Sequence, residues 1–76
     1  QSAQAFDAGD PQRAAELADD PQQRGVAQFT AGDFAAADQS FSTAPGADAQ
    51  YNQGNALAKL GRYEDAIAAY DRALGS

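Results

Sequence analysis

From position 63 onward, apolar residues fall at Tyr63, Ala66, Ile67, Tyr70, Ala73 and Leu74, which are i, i+3, i+4, i+7, i+10 and i+11. That period wraps a single stripe along an α-helix. Phe34, Ala37, Phe41 and Ala44 draw the same stripe earlier in the chain, and no strand-type alternation competes. The polar residues between such stripes act as helix punctuation. Asp10-Pro11 and Asp20-Pro21 each set a capping carboxylate before a proline at the first helical position, where the missing N–H costs nothing. Asp33 and Asp48 can cap in the same way, Gly9, Gly32, Gly61 and Gly75 suit left-handed helix ends, and Pro45-Gly46 signals a turn. These marks predict helices over 2–8, 11–19, 21–31, 34–44, 48–60 and 63–74. The chain therefore reads as all-α, built of antiparallel helix pairs with short turns.

The pattern also repeats. Gly25, Ala27, Gly32, Phe34, Ala37, Phe41 and Ala44 return as Gly54, Ala56, Gly61, Tyr63, Ala66, Tyr70 and Ala73, each 29 residues on. A shorter echo precedes them: Phe6, Ala8, Gly9, Asp10 and Ala14 return as Phe29, Ala31, Gly32, Asp33 and Ala37, at a spacing of 23. Self-similarity of this kind means stacked units that each bury one face on the next, an architecture suited to binding surfaces rather than enclosed catalytic pockets. Gly25 and Gly54 fall inside predicted helices, where glycine costs about 1 kcal/mol relative to alanine. The pattern predicts a compensation in which Gly25 faces Ala37 and Gly54 faces Ala66, so that two helix backbones approach closely.

Composition narrows the chemistry. A chain of 76 residues holds at most one small domain, burying about 60% of its unfolded surface. Its 43% hydrophobic content is rich in alanine, so the core should be thin and close-packed. Cysteine and histidine are both absent, which removes disulfides, the usual transition-metal ligands and the commonest nucleophile and base. No cofactor or metal is implied. Five basic against eleven acidic residues give a net charge of −6, which disfavours nucleic acid, whose phosphates need clustered Lys and Arg. No apolar run approaches the ~20 residues of a membrane span. Methionine is missing throughout, position 1 included, so the chain reads as a piece of something longer.

With these residues in view, the chain resembles the tetratricopeptide repeat family. Tyr51-Asn52-Gln53-Gly54-Asn55-Ala56-Leu57, then Gly61-Arg62-Tyr63, Ala66, Tyr70 and Ala73, follow that family's helix–turn–helix pattern, and residues 18–44 follow it more loosely. The resemblance implies one domain over 1–76, about two and a half hairpins stacked as a short α-solenoid. Its parts would be a truncated repeat at 1–20, a shortened repeat at 21–46 and a well-formed repeat at 47–76. The family repeats at about 34 residues, so a spacing of 29 is short by a missing end of the second helix near Pro45-Gly46. The early tryptophan of the family is replaced by Pro21 and Gln50. More narrowly, the segment 51–74 is similar to the tail of bacterial membrane-anchored proteins of the Bat aerotolerance group. Those carry a von Willebrand A domain before their repeats and reside beside MoxR-type ATPases. That likeness implies a membrane-associated parent, with this part on the periplasmic face of the inner membrane.

Family members bind extended peptides or partner helices along a concave face lined by the first helix of each pair. Carried over, the lining positions are Gln22, Val26, Phe29 and Thr30 from one helix, and Tyr51, Asn55, Ala58 and Lys59 from the next. Of these, Gln22, Val26, Tyr51, Asn55 and Lys59 are the candidate partner-binding residues. Asn55 leads, because a carboxamide can bond both the N–H and the C=O of an extended backbone. Against that stands the plainer role of a solvated helix residue. Phe29 suits core packing better than display, Lys59 is also explained by the helix dipole, and Asn52 reads as a contact between helices. The family's carboxylate clamp for chaperone tails is not implied, since Gln22 and Val26 stand where it needs a basic residue and an asparagine. Asp19-Asp20 and Glu64-Asp65 sit at helix N-termini, where capping explains them, and adjacent helix residues do not face each other. No catalytic site is implied. The function expected is a non-catalytic scaffold for a protein or peptide partner. The alternative is a structural module that docks on its own parent or forms homo-oligomers, suggested by a last helix with no polar helix to cover it.

Overall fold

The computed structural model describes residues 19–75; the expected helix over 2–8 and all but the last residue of the one expected over 11–19, with the Asp10 cap and Gly9, lie outside them. Within that range the chain forms four helices: α1 Pro21–Thr30, α2 Phe34–Thr43, α3 Ala47–Lys59 and α4 Tyr63–Ala73. The described residues are all-α, a short array of helical hairpins. Each helix packs on the next in sequence, and α1 also touches α3 across the array.

Local chemistry sets the ends. The Asp20 carboxylate accepts from the Gln22 N–H at 3.2 Å, with Pro21 opening α1. Asp33 accepts from the Ala36 N–H at 3.3 Å at the start of α2. Two hairpin turns are copies of each other. Gly32 (φ +84°) lets the Asp33 N–H reach the Gln28 carbonyl at 2.9 Å, and Gly61 (φ +79°) lets the Arg62 N–H reach Leu57 at 2.9 Å. Such a left-handed glycine satisfies carbonyls that the helix end would orphan. The copies differ at their caps: where α2 has Asp33, α4 has Arg62, which makes no side-chain cap and instead pairs with Asp65 at 2.7 Å. One expected cap is corrected. Gly46 (φ +98°), not Asp48, holds the N-cap of α3, and Asp48 lies inside the first turn, where its charge still complements the helix dipole. Helix α2 stops at Thr43 because Pro45 drives Ala44 to extended backbone (φ −88°, ψ 141°).

The core is narrow and alanine-rich. Ala37, Phe41 and Ala56 form one buried cluster with Phe29 against it, and Leu57, Ala66 and Ala69 form another with Ala58 and Tyr70. Both mid-helix glycines are continuous with their helices, but the atoms nearest each belong to an aromatic ring and not to the expected alanine. A Cβ on Gly25 would lie 2.5 Å from Phe41 Cε1, and one on Gly54 would lie 2.5 Å from Tyr70 Cε1. Glycine here makes room for an aromatic ring. Ala37 and Ala66 are buried beside those rings, one turn earlier on α2 and α4.

The apolar stripe of α4 is only half buried. Ala66 is buried and Tyr70 and Ala73 are half-buried, but Tyr63 is 66% exposed, Ile67 65% and Leu74 84%, while Ala69, outside the stripe, is buried. Tyr63 stands where the first hairpin has Phe34, but the two are not equally covered. Phe34 is half-buried and packs edge-on against Phe29, ring centroids 5.0 Å apart. The position equivalent to Phe29 in the second hairpin is Ala58, so Tyr63 has no ring to meet.

Candidate functional site

Helices α1 and α3 stand side by side, and between them lies a hollow of about 120 Å³ lined by Val26, Phe29, Thr30, Phe41, Asn52 and Asn55. Its floor is the Phe41 ring, 2% exposed, seated in the gap that Gly25 leaves. Val26 and Phe29 make one wall apolar, while Asn52 and Asn55 make the other polar. The Thr30 hydroxyl is used locally, donating to the Val26 carbonyl at 2.9 Å.

Of the residues expected to bind a partner, Val26 and Asn55 meet across this hollow. The others lie on the same helices outside its lining. Tyr51 is exposed and rests on Tyr70 with ring centroids 5.4 Å apart. Lys59 is exposed at the last turn of α3. Gln22 is half-buried, and its Oε1 is buried without a hydrogen-bond partner among the described residues, a costly state for an amide oxygen. Phe41 and Asn52 join the lining although the spacing argument omitted the first and gave the second to helix contacts. Asn55 is also more constrained than its sequence position implied. The Tyr70 hydroxyl donates to its Oδ1 at 2.6 Å, so the side chain does not offer a free donor and a free acceptor equally.

Polar pairs that the residue spacing did not reveal also tie the helices together. Ser40 Oγ donates to Gln28 Oε1 at 2.6 Å, linking α2 to α1. Gln53 Nε2 donates to Asp38 Oδ1 at 2.9 Å, and Arg72 Nη2 to Gln53 Oε1 at 3.4 Å, linking α2, α3 and α4. Those bonds occupy the groups in structural work. Asp20 and Asp65, from the two adjacent acidic pairs, are likewise engaged as a cap and as the Arg62 partner.

A hairpin whose glycine receives an aromatic ring from its second helix, closed by a left-handed glycine turn, can be compared directly with known repeats. Residues 47–75 match the family model of the tetratricopeptide repeat. The match covers α3 and α4 in full, so this hairpin is similar to one tetratricopeptide repeat. Helices α1 and α2 lie outside the match, yet they carry the same glycine–ring contact and the same turn. No curated protein and no solved structure matches the chain. Tetratricopeptide repeats generally mediate protein–protein interaction and are typically non-catalytic. No helix among the described residues is long and apolar enough to cross a membrane.

Proposed function

We propose that this chain is a non-catalytic interaction scaffold that binds a peptide or helix of a protein partner on the face shared by α1 and α3. The observation that carries the reading is the hollow itself: an apolar wall of Val26 and Phe29 set opposite the amide of Asn55. Such a mixed lining suits a segment that has both an apolar side chain and a polar backbone to satisfy. Gln22, Tyr51 and Lys59 flank the hollow along the same two helices and extend the surface a partner would cover. Selection from a displayed peptide library tests the reading. Selected peptides should lose at least about tenfold in affinity against Val26→Asp, since a buried unpaired charge costs well over 1.4 kcal/mol. Equal binding by parent and variant would remove this face from the site.

A second reading is favoured by a separate observation, the exposed Tyr63, Ile67 and Leu74 of α4. Together they form one stripe at i, i+4 and i+11, the face that would support self-association or docking on the parent protein. Sedimentation equilibrium of the parent and Ile67→Glu discriminates the two. Reversible dimerisation lost in the variant supports self-association, and a monomer at all concentrations excludes it. The wider context, a membrane-anchored parent with these hairpins on its periplasmic face, is supported by the likeness of residues 51–74 to the Bat-group tail alone. Recovery of the full-length protein in the cytoplasmic soluble fraction would overturn it.

A further inference from the structure

The two hairpins differ at one linked pair of positions. Val26 and Asn55 are equivalent, and so are Phe41 and Tyr70. The amide and the phenol hydroxyl thus occur together in the second hairpin and are missing together from the first. In the second they bond, Tyr70 Oη donating to Asn55 Oδ1 at 2.6 Å.

The hydroxyl is not needed for packing. A Cβ added to Gly25 would meet the Phe41 ring at the same 2.5 Å at which one on Gly54 would meet Tyr70, and Phe41 has no hydroxyl. Its effect falls on the amide. A free carboxamide offers an acceptor oxygen and two N–H donors and can present either. The bond to Tyr70 takes one of the oxygen's two acceptor sites and fixes which end of the amide faces the phenol, so both N–H groups of Asn55 are left for a ligand. Across the hollow the lining is Val26, Phe29 and Phe41, which suits an apolar side chain. A neutral amide on a chain of net charge −6 favours a neutral acceptor over a carboxylate.

We propose that Tyr70 is a positioning residue whose hydroxyl sets Asn55 as a donor, so that the hollow takes an extended peptide bearing an apolar side chain beside a backbone carbonyl. This rests on the groove reading above and narrows it. The probe is N-acetyl-leucine N′-methylamide, one apolar side chain between two peptide carbonyls, titrated into ¹⁵N-labelled parent, Tyr70→Phe and Asn55→Asp. The parent should show saturating shifts at Val26, Phe29 and the Asn55 side-chain amide. Tyr70→Phe keeps the ring, moves and broadens the Asn55 amide pair before any probe is added, and weakens binding about threefold to tenfold. Asn55→Asp keeps an acceptor for the Tyr70 hydroxyl but has no N–H, so it should fold like the parent and lose the titration. If Tyr70→Phe fails to fold, Asn55→Asp carries the test. Probe binding and an Asn55 signal unchanged in Tyr70→Phe would overturn the positioning role and leave the groove reading standing. Probe binding unchanged in Asn55→Asp would overturn the donor assignment. No shift in the parent at Val26, Phe29 or Asn55 would overturn both the inference and the groove.

Discussion

Gly25→Ala separates this packing from an ordinary helix more sharply than any other single change. At an unconstrained mid-helix site the substitution stabilises by about 1 kcal/mol through helix propensity. Here the new Cβ would lie 2.5, 2.6 and 2.9 Å from three atoms of the Phe41 ring. That ring is 2% exposed and clustered with Ala37 and Ala56, so it can yield only toward the hollow between α1 and α3. Overpacking of this kind costs about 1–3 kcal/mol. A loss near the upper end, less the propensity gain, leaves a net destabilisation of about 1–2 kcal/mol. For a domain of this size each kcal/mol lowers Tm by about 4–8 °C. Urea and thermal unfolding followed by circular dichroism would read both. The double variant Gly25→Ala with Phe41→Leu replaces the ring edge by a smaller branched chain, and the two changes should be less costly together than summed, by about 1 kcal/mol or more. A stabilised Gly25→Ala with no coupling to position 41 would refute the ring-in-gap packing.

Other outcomes follow from the same contacts. Ala37→Leu and Ala66→Leu insert bulk at positions 0% and 2% exposed and should each cost about 1–3 kcal/mol; parent-like melts for both would contradict the close packing of α2 and of α4 on their neighbouring helices. Asp33→Ala removes a side-chain cap and should cost about 1 kcal/mol, whereas Arg62→Ala breaks an exposed ion pair and should cost less than half of that. The reverse order in urea titrations would show that the two copied turns are not stabilised as described. Ser40→Ala strands the half-buried Gln28 amide oxygen and should destabilise by about 1 kcal/mol, with no change at all counting against that link.

The helices were legible because their ends are chemically marked: Asp20-Pro21, Gly32-Asp33, Pro45-Gly46 and Gly61 stop or start backbone hydrogen bonding by rules that need no tertiary contact. The partner of Gly25 was not legible in the same way. Which side chain enters a glycine gap depends on the crossing of α1 over α2, and Ala37 and Phe41 lie on one face of the same helix. The exposure of Tyr63 was hidden for a related reason. Its burial depended on the residue opposite, and Ala58 cannot do for it what Phe29 does for Phe34. In the hollow, spacing located Val26 and Asn55 because both lie on the lining face of their helices. It missed Phe41 of the following helix, whose ring lies beside Gly25, and it could not foresee that Tyr70 would bond the Asn55 oxygen.

The central claim is that the two hairpins present one shared face, along α1 and α3, to a partner. Hydrogen–deuterium exchange with and without a library-selected peptide measures that face directly. Slowed exchange concentrated in 21–30 and 47–59 is the expected result. Slowing confined to 63–73, around Tyr63, Ile67 and Leu74, would put the partner on the outer side of α4 and contradict the claim.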